Sequence, residues 1–152
     1  MAPPEPIPAR GSVLLVDDEE IVGRLVRRHL RGWTVTQAFS LAAGHDLIGP
    51  TLELVILDLN LGDTSYPHSL LDNPLQGSFG FAHRIRQSLP SLPVVIFSGC
   101  CNPANGDAAR YVGAEFLSKH EAAANLALLR SRLEQQTIPS PSPVLVPQLT
   151  GT

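Results

Sequence analysis

The chain has 152 residues, 43% of them hydrophobic and 16% charged, with a formal net charge of −3. That length suits one domain and the apolar fraction excludes wholesale disorder. Eleven basic against 14 acidic residues argue against direct nucleic-acid binding, which needs a basic face.

No apolar run approaches the ~20 residues of a membrane span, so no membrane association is expected. The opening MAPPEPIPAR lacks the apolar core of a secretory signal. The two cysteines, Cys100 and Cys101, are adjacent, so they build neither a disulfide framework nor a zinc quartet, and they read as inert thiols. The expected compartment is the cytoplasm. Four of the 14 prolines lie in 1–10 and four more in 139–147. Both ends lack periodicity, which predicts flexible tails over 1–10 and 138–152 around a folded domain at 11–137.

Apolar runs and helical patterns alternate through that domain. SVLLV at 12–16 reads as a buried strand. Ile21, Val22, Leu25, Val26 and Leu30 give one face of a helix over 20–30, with Gly32 as a stop. WTVTQA at 33–38 alternates as a half-buried strand does, and Ser40 caps a short helix running to about Ile48. LVIL at 54–57 is the second continuous apolar run, and it ends in Asp58. After a long polar stretch comes a helix carrying Phe81 and Ile85, up to about Ser88. PVVIF at 93–97 leads to Ser98, and a helix around 107–112 stops at Gly113. A strand over 114–117 precedes Lys119, and a last helix over 122–134 carries Leu126, Leu129 and Leu133. Five β-α units whose strands are apolar on both faces predict an α/β fold, a doubly wound parallel sheet covered by helices.

In open parallel sheets, ligands bind outside the carboxyl ends of the strands. Those ends carry Asp17 and Asp18, then Asp58, Ser98 and Lys119, with Glu19 and Glu20 adding negative charge. Carboxylates gathered so closely repel one another, and a hard divalent cation such as Mg2+ relieves the repulsion with oxygen ligands. Lys119 is the only lysine beside ten arginines. Its compact ammonium suits one phosphate oxygen better than a guanidinium fork does.

VLLVDDEE at 13–20, LVILDLNLGD at 54–63, PVVIFSG at 93–99 and GAEFLSK at 113–119 together resemble the receiver domain of two-component response regulators. The resemblance spans about 11–135. It implies a flavodoxin-like (βα)5 fold with strand order 2-1-3-4-5 and transfer of phosphate from a histidine kinase or phosphotransfer protein onto an aspartate. By motif position Asp58 is the phosphoacceptor. Asp18 and Asp58 supply carboxylates to Mg2+, Asn60 its backbone carbonyl, and Asp17 reaches the metal through water. Ser98 and Lys119 contact the phosphoryl group. Ser98 and Phe116 form the switch that signals to a downstream protein through the surface around 108–112, Phe116 and 122–129. Such a protein is a phosphoacceptor switch rather than an enzyme, and here a stand-alone one.

Three departures from the family pattern stand out. His120 replaces the proline that usually follows the lysine through a cis bond, which predicts a trans bond, because a non-proline cis bond costs ~2.5–4 kcal/mol. Gly62 replaces a proline four residues after the phosphoacceptor, and the stretch 62–78 is about a dozen residues longer than usual, with Gly77 and Gly80 both candidates for the usual loop glycine. The alternative function is a degenerate receiver that binds partners without phosphorylation; intact Asp18, Asp58, Ser98 and Lys119 count against it. A haloacid dehalogenase-type hydrolase would want an acid where Asn60 stands.

Overall fold

The computed structural model describes residues 11–59, 77–99 and 103–137. The expectations for 1–10, Asn60, the body of the 62–78 stretch, Cys100, Cys101 and 138–152 lie outside the described residues. Strands β1 (Ser12–Val16), β2 (Thr34–Ala38), β3 (Leu52–Leu57), β4 (Val94–Ser98) and β5 (Glu115–Ser118) form one parallel sheet in the order β2-β1-β3-β4-β5. Between and after them run α1 (Glu20–His29), α2 (Leu41–His45), α3 (Gly77–Ser88), α4 (Pro103–Tyr111) and α5 (Ala122–Thr137). This is the doubly wound order expected.

The continuous apolar runs follow from burial on both faces. Val13, Leu15, Leu54, Ile56, Val95 and Phe97 meet Val22 and Val26 of α1 and Leu126, Leu129 and Leu133 of α5. Their neighbours Leu14, Val16, Val55, Leu57 and Ile96 meet Leu41 of α2, Phe81 and Ile85 of α3 and Ala109 of α4. Each fully buried aliphatic or aromatic side chain is worth about 1.5–3 kcal/mol. β2, at one edge, alternates instead and buries only Ala38 completely.

Several boundaries shift for physical reasons. β3 starts two residues before the expected point because Leu52 still pairs with Ser12, across an irregularity in the β1–β3 ladder. α4 begins at Pro103 rather than Asp107. Proline is well tolerated in a first helical turn, and Asn105 and Gly106 weaken the helical signal that follows it. α4 does stop at Gly113, whose φ is 81°. The Gly113 amide donates to the Arg110 carbonyl and the Ala114 amide to the Ala109 carbonyl, the paired bonds of a Schellman ending. Ser40 caps α2 as expected, its hydroxyl accepting from the Ala43 amide. No helix among the described residues is long and apolar enough to cross a membrane.

Candidate functional site

The carboxyl ends of β1, β3, β4 and β5 bring Asp17, Asp18, Asp58, Ser98 and Lys119 to one rim. The apolar runs end there because the chain leaves the sheet, and its first polar residues cap the strands. Asp17 and Ser98 are fully buried and Asp58 is 5% exposed, whereas Asp18 stands in solvent. The adjacent acids therefore differ: Asp17 turns inward and Asp18 outward. One oxygen from each of Asp17, Asp18 and Asp58 falls within a 4.8 Å cluster. An open cavity of about 480 Å3 lies over them, lined by Asp18, Glu19, Asp58, Gly99 and Lys119.

Lys119 is the counter-charge. Its Nζ lies 2.8 Å from Asp17 Oδ2 and 3.2 Å from Asp58 Oδ1, with the exposed Glu19 further off at 3.7 Å. Asp17 Oδ1 accepts from the Glu19 amide at 2.9 Å, so both of its oxygens are engaged. Burial pushes the Asp58 carboxyl above its ordinary pKa; Lys119 pulls it back, and the charge of Asp17 raises it again. Burial acts to lower the Lys119 ammonium, but the hydrogen bond to Asp17 and the charges of Asp58 and Asp17 outweigh it and hold it above the usual lysine value.

Two side chains that the sequence reading passed over support this rim. Ser78, in the first turn of α3, is buried, and its hydroxyl donates to the Asp58 carbonyl. Ser78→Ala leaves that buried carbonyl without this donor, and the expected cost is about 1–2 kcal/mol of stability, read from urea midpoints. Gln37, in β2, donates to the carbonyls of Asp17 and Glu19. Neither residue carries a local signal: one closes a polar stretch and the other sits in an alternating strand as though facing water.

His120 follows Lys119 through a trans bond, as expected. Lys119–Glu121 form a 3-10 turn in which the Ser118 hydroxyl accepts from the His120 amide. The His120 ring reaches the Gly99 carbonyl at 2.9 Å. That acceptor requires the proton on Nε2. Phe116 is half-buried against the α2–α3–α4 face. Trp33 precedes β2, at the end of the sheet remote from the rim, where Arg130 stacks 5.2 Å from its ring. It is a poor reporter of events at the acids.

No family model matches the chain, and no curated protein matches it. Solved structures do. The receiver domain of NtrX from Brucella abortus superposes with a TM-score of 0.63 at 28% identity, over 81% of this chain and 98% of that one. A CheY-like response regulator receiver domain protein from Methanospirillum hungatei gives 0.66 at 17% identity, over 83% and 95%. The BeF3-activated DrrB receiver domain gives 0.68 at 15% identity, over 82% and 97%.

The chain has the response-regulator receiver fold. In this receiver fold the acids of β1 and β3, Ser98 at the end of β4 and the lysine after β5 share one rim. The turn after β5 is built on His120 instead of proline.

Proposed function

We propose that the chain is a phosphoacceptor switch in two-component signalling, taking a phosphoryl group on Asp58 from a histidine kinase or phosphotransfer protein. The observation that carries this reading is the buried Asp58 carboxylate at the mouth of an open cavity, 3.2 Å from Lys119 and clustered with Asp17 and Asp18. A carboxylate is a weak nucleophile, so the site must hold it ionised and neutralise the incoming phosphoryl oxygens. Lys119 does the first by pulling the Asp58 pKa down against burial.

In the transfer, an Asp58 Oδ–P bond forms as the donor imidazole's P–N bond breaks, and the imidazole leaves with its electron pair. Lys119 stays anchored on Asp17 while turning from Asp58 Oδ1 to a phosphoryl oxygen. Ser98 offers its hydroxyl to another oxygen, a charge-assisted hydrogen bond absent before transfer. The three oxygen-bearing acids suit a hard divalent cation: Asp18 and Asp58 would hold Mg2+ directly, and Asp17, with both oxygens engaged, through water. When bound, Mg2+ supplies charge neutralisation at the phosphoryl oxygens. Output then runs through Ser98 to the half-buried Phe116 and the α4-β5-α5 surface toward a downstream protein. Completing the burial of Phe116 contributes only part of the ~1.5–3 kcal/mol of a whole side chain, still enough to move a two-state equilibrium several-fold.

Intact-mass spectrometry after incubation with acetyl phosphate and Mg2+ tests the reading. One labile phosphoryl adduct, lost on standing at alkaline pH, is expected. Absence of any adduct, or multiple turnover of acetyl phosphate without one, overturns it.

A further inference from the structure

Asp18 stands on the exposed connection between β1 and α1, and that connection is held by its backbone. Gln37 Nε2 donates to the Asp17 carbonyl at 2.9 Å and to the Glu19 carbonyl at 3.0 Å. These two carbonyls bracket Asp18 in the chain. Both are pure acceptors, so the nitrogen end of the carboxamide must face them, and both of its protons are used.

Gln37 pairs with Leu15 in the parallel ladder, so its side chain rises on the face that α1 covers. Space for it exists because residue 23, buried in α1, is glycine. A Cβ there would lie 1.9 Å from Gln37 Oε1 and 2.8 Å from its Cδ. The Asp17 amide adds a second tether to β2 through the Ala38 carbonyl at 3.0 Å.

We propose that Gln37 is a positioning residue for the divalent-cation site, its carboxamide seated in the space left by Gly23 and locking the Asp17–Glu19 backbone so that the Asp18 carboxylate stays clustered with Asp58. This rests on the receiver reading of the site. Gln37 touches neither the metal nor the phosphoryl group in this scheme. It removes the freedom that the exposed Asp18 would otherwise lose on binding. Gly23→Ala should do the same damage indirectly, because the new methyl group displaces the end of the Gln37 carboxamide and crowds only the flexible guanidinium of Arg27 besides.

The test is Mg2+ titration of wild type, Gln37→Ala, Gly23→Ala and the double variant, followed by amide NMR shifts of Asp18 and Glu19, with metal-free melting alongside. Wild type should bind. Each single variant should bind roughly ten-fold more weakly, as removal of an outer-shell partner does. The double variant should bind no more weakly than Gln37→Ala alone. Metal-free melting temperatures should not track the affinities. Unchanged affinity in Gln37→Ala, losses that multiply in the double variant, or melting temperatures that fall in step with affinity each overturn this inference and leave the receiver reading standing. A wild type that binds no Mg2+ overturns both.

Discussion

Lys119→Ala is expected to cost the fold about 3 kcal/mol at pH 7 without divalent metal, measured from urea midpoints. The ammonium is 19% exposed, and it faces two carboxylates that are 1% and 6% exposed, so its loss strands paired charges away from water. Its raised pKa sets the pH window. The contribution is complete below the lysine's unfolded value and fades only as pH climbs through the folded one, so neutral pH shows it in full. Millimolar Mg2+ should stabilise the variant more than wild type, because the cation then replaces the ammonium instead of competing with it. Labelling by acetyl phosphate should slow about 100-fold, the scale of losing one preorganised counter-charge. A variant as stable as wild type in the absence of metal would contradict the buried-pair account.

Asp58→Asn should abolish the phosphoryl adduct and, in the same molecule, raise stability at neutral pH. The Asp58 carboxyl is held above its ordinary pKa chiefly by burial. The fold therefore binds that proton more tightly than the unfolded chain does, and the benefit present at low pH is lost as pH rises through the raised value. At pH 7 the ionised carboxylate is a liability that asparagine removes while still accepting a hydrogen bond from Lys119. The melting difference between variant and wild type should shrink as pH falls through the raised value and vanish by the ordinary carboxyl range. A gap that is independent of pH would mean that ionisation of Asp58 does not matter to the fold. An adduct of unchanged yield would place the phosphoryl group elsewhere.

The parts of this molecule that were legible in sequence are those where one physical demand dominates. Residues 13–16 are wholly buried because helices cover both faces of a central strand, so no polar residue interrupts them. The acids, serine and lysine that follow the buried strands then stand out by contrast. Where several weak signals overlap, local sequence says less. The first turn of α4 hid behind Pro103, Asn105 and Gly106, each a poor helix former in isolation. Asp17 and Asp18 are told apart only by the family resemblance, because the inward turn of Asp17 goes with its bond to Lys119, about a hundred residues along the chain. Ser78 and Gln37 each bond a partner some 20 residues away in sequence. A single hydroxyl or carboxamide on a strand or helix gives no hint of such a partner. The half-burial of Phe116 depends likewise on how closely α4 packs beside β5, which no local pattern encodes.

The solitary lysine has a practical consequence. Within this sequence, a protease specific for lysine has one peptide bond to cut, Lys119–His120, and that bond lies inside the 3-10 turn at the rim. Cleavage into two fragments therefore requires Nζ to let go of Asp17 and the turn to unwind. An amine-directed acylating reagent likewise meets a single side-chain target. Digestion rate and acylation yield become gauges of how often this one corner of the molecule opens, without any engineered label. Ligands that clamp the corner should register as protection at a single residue.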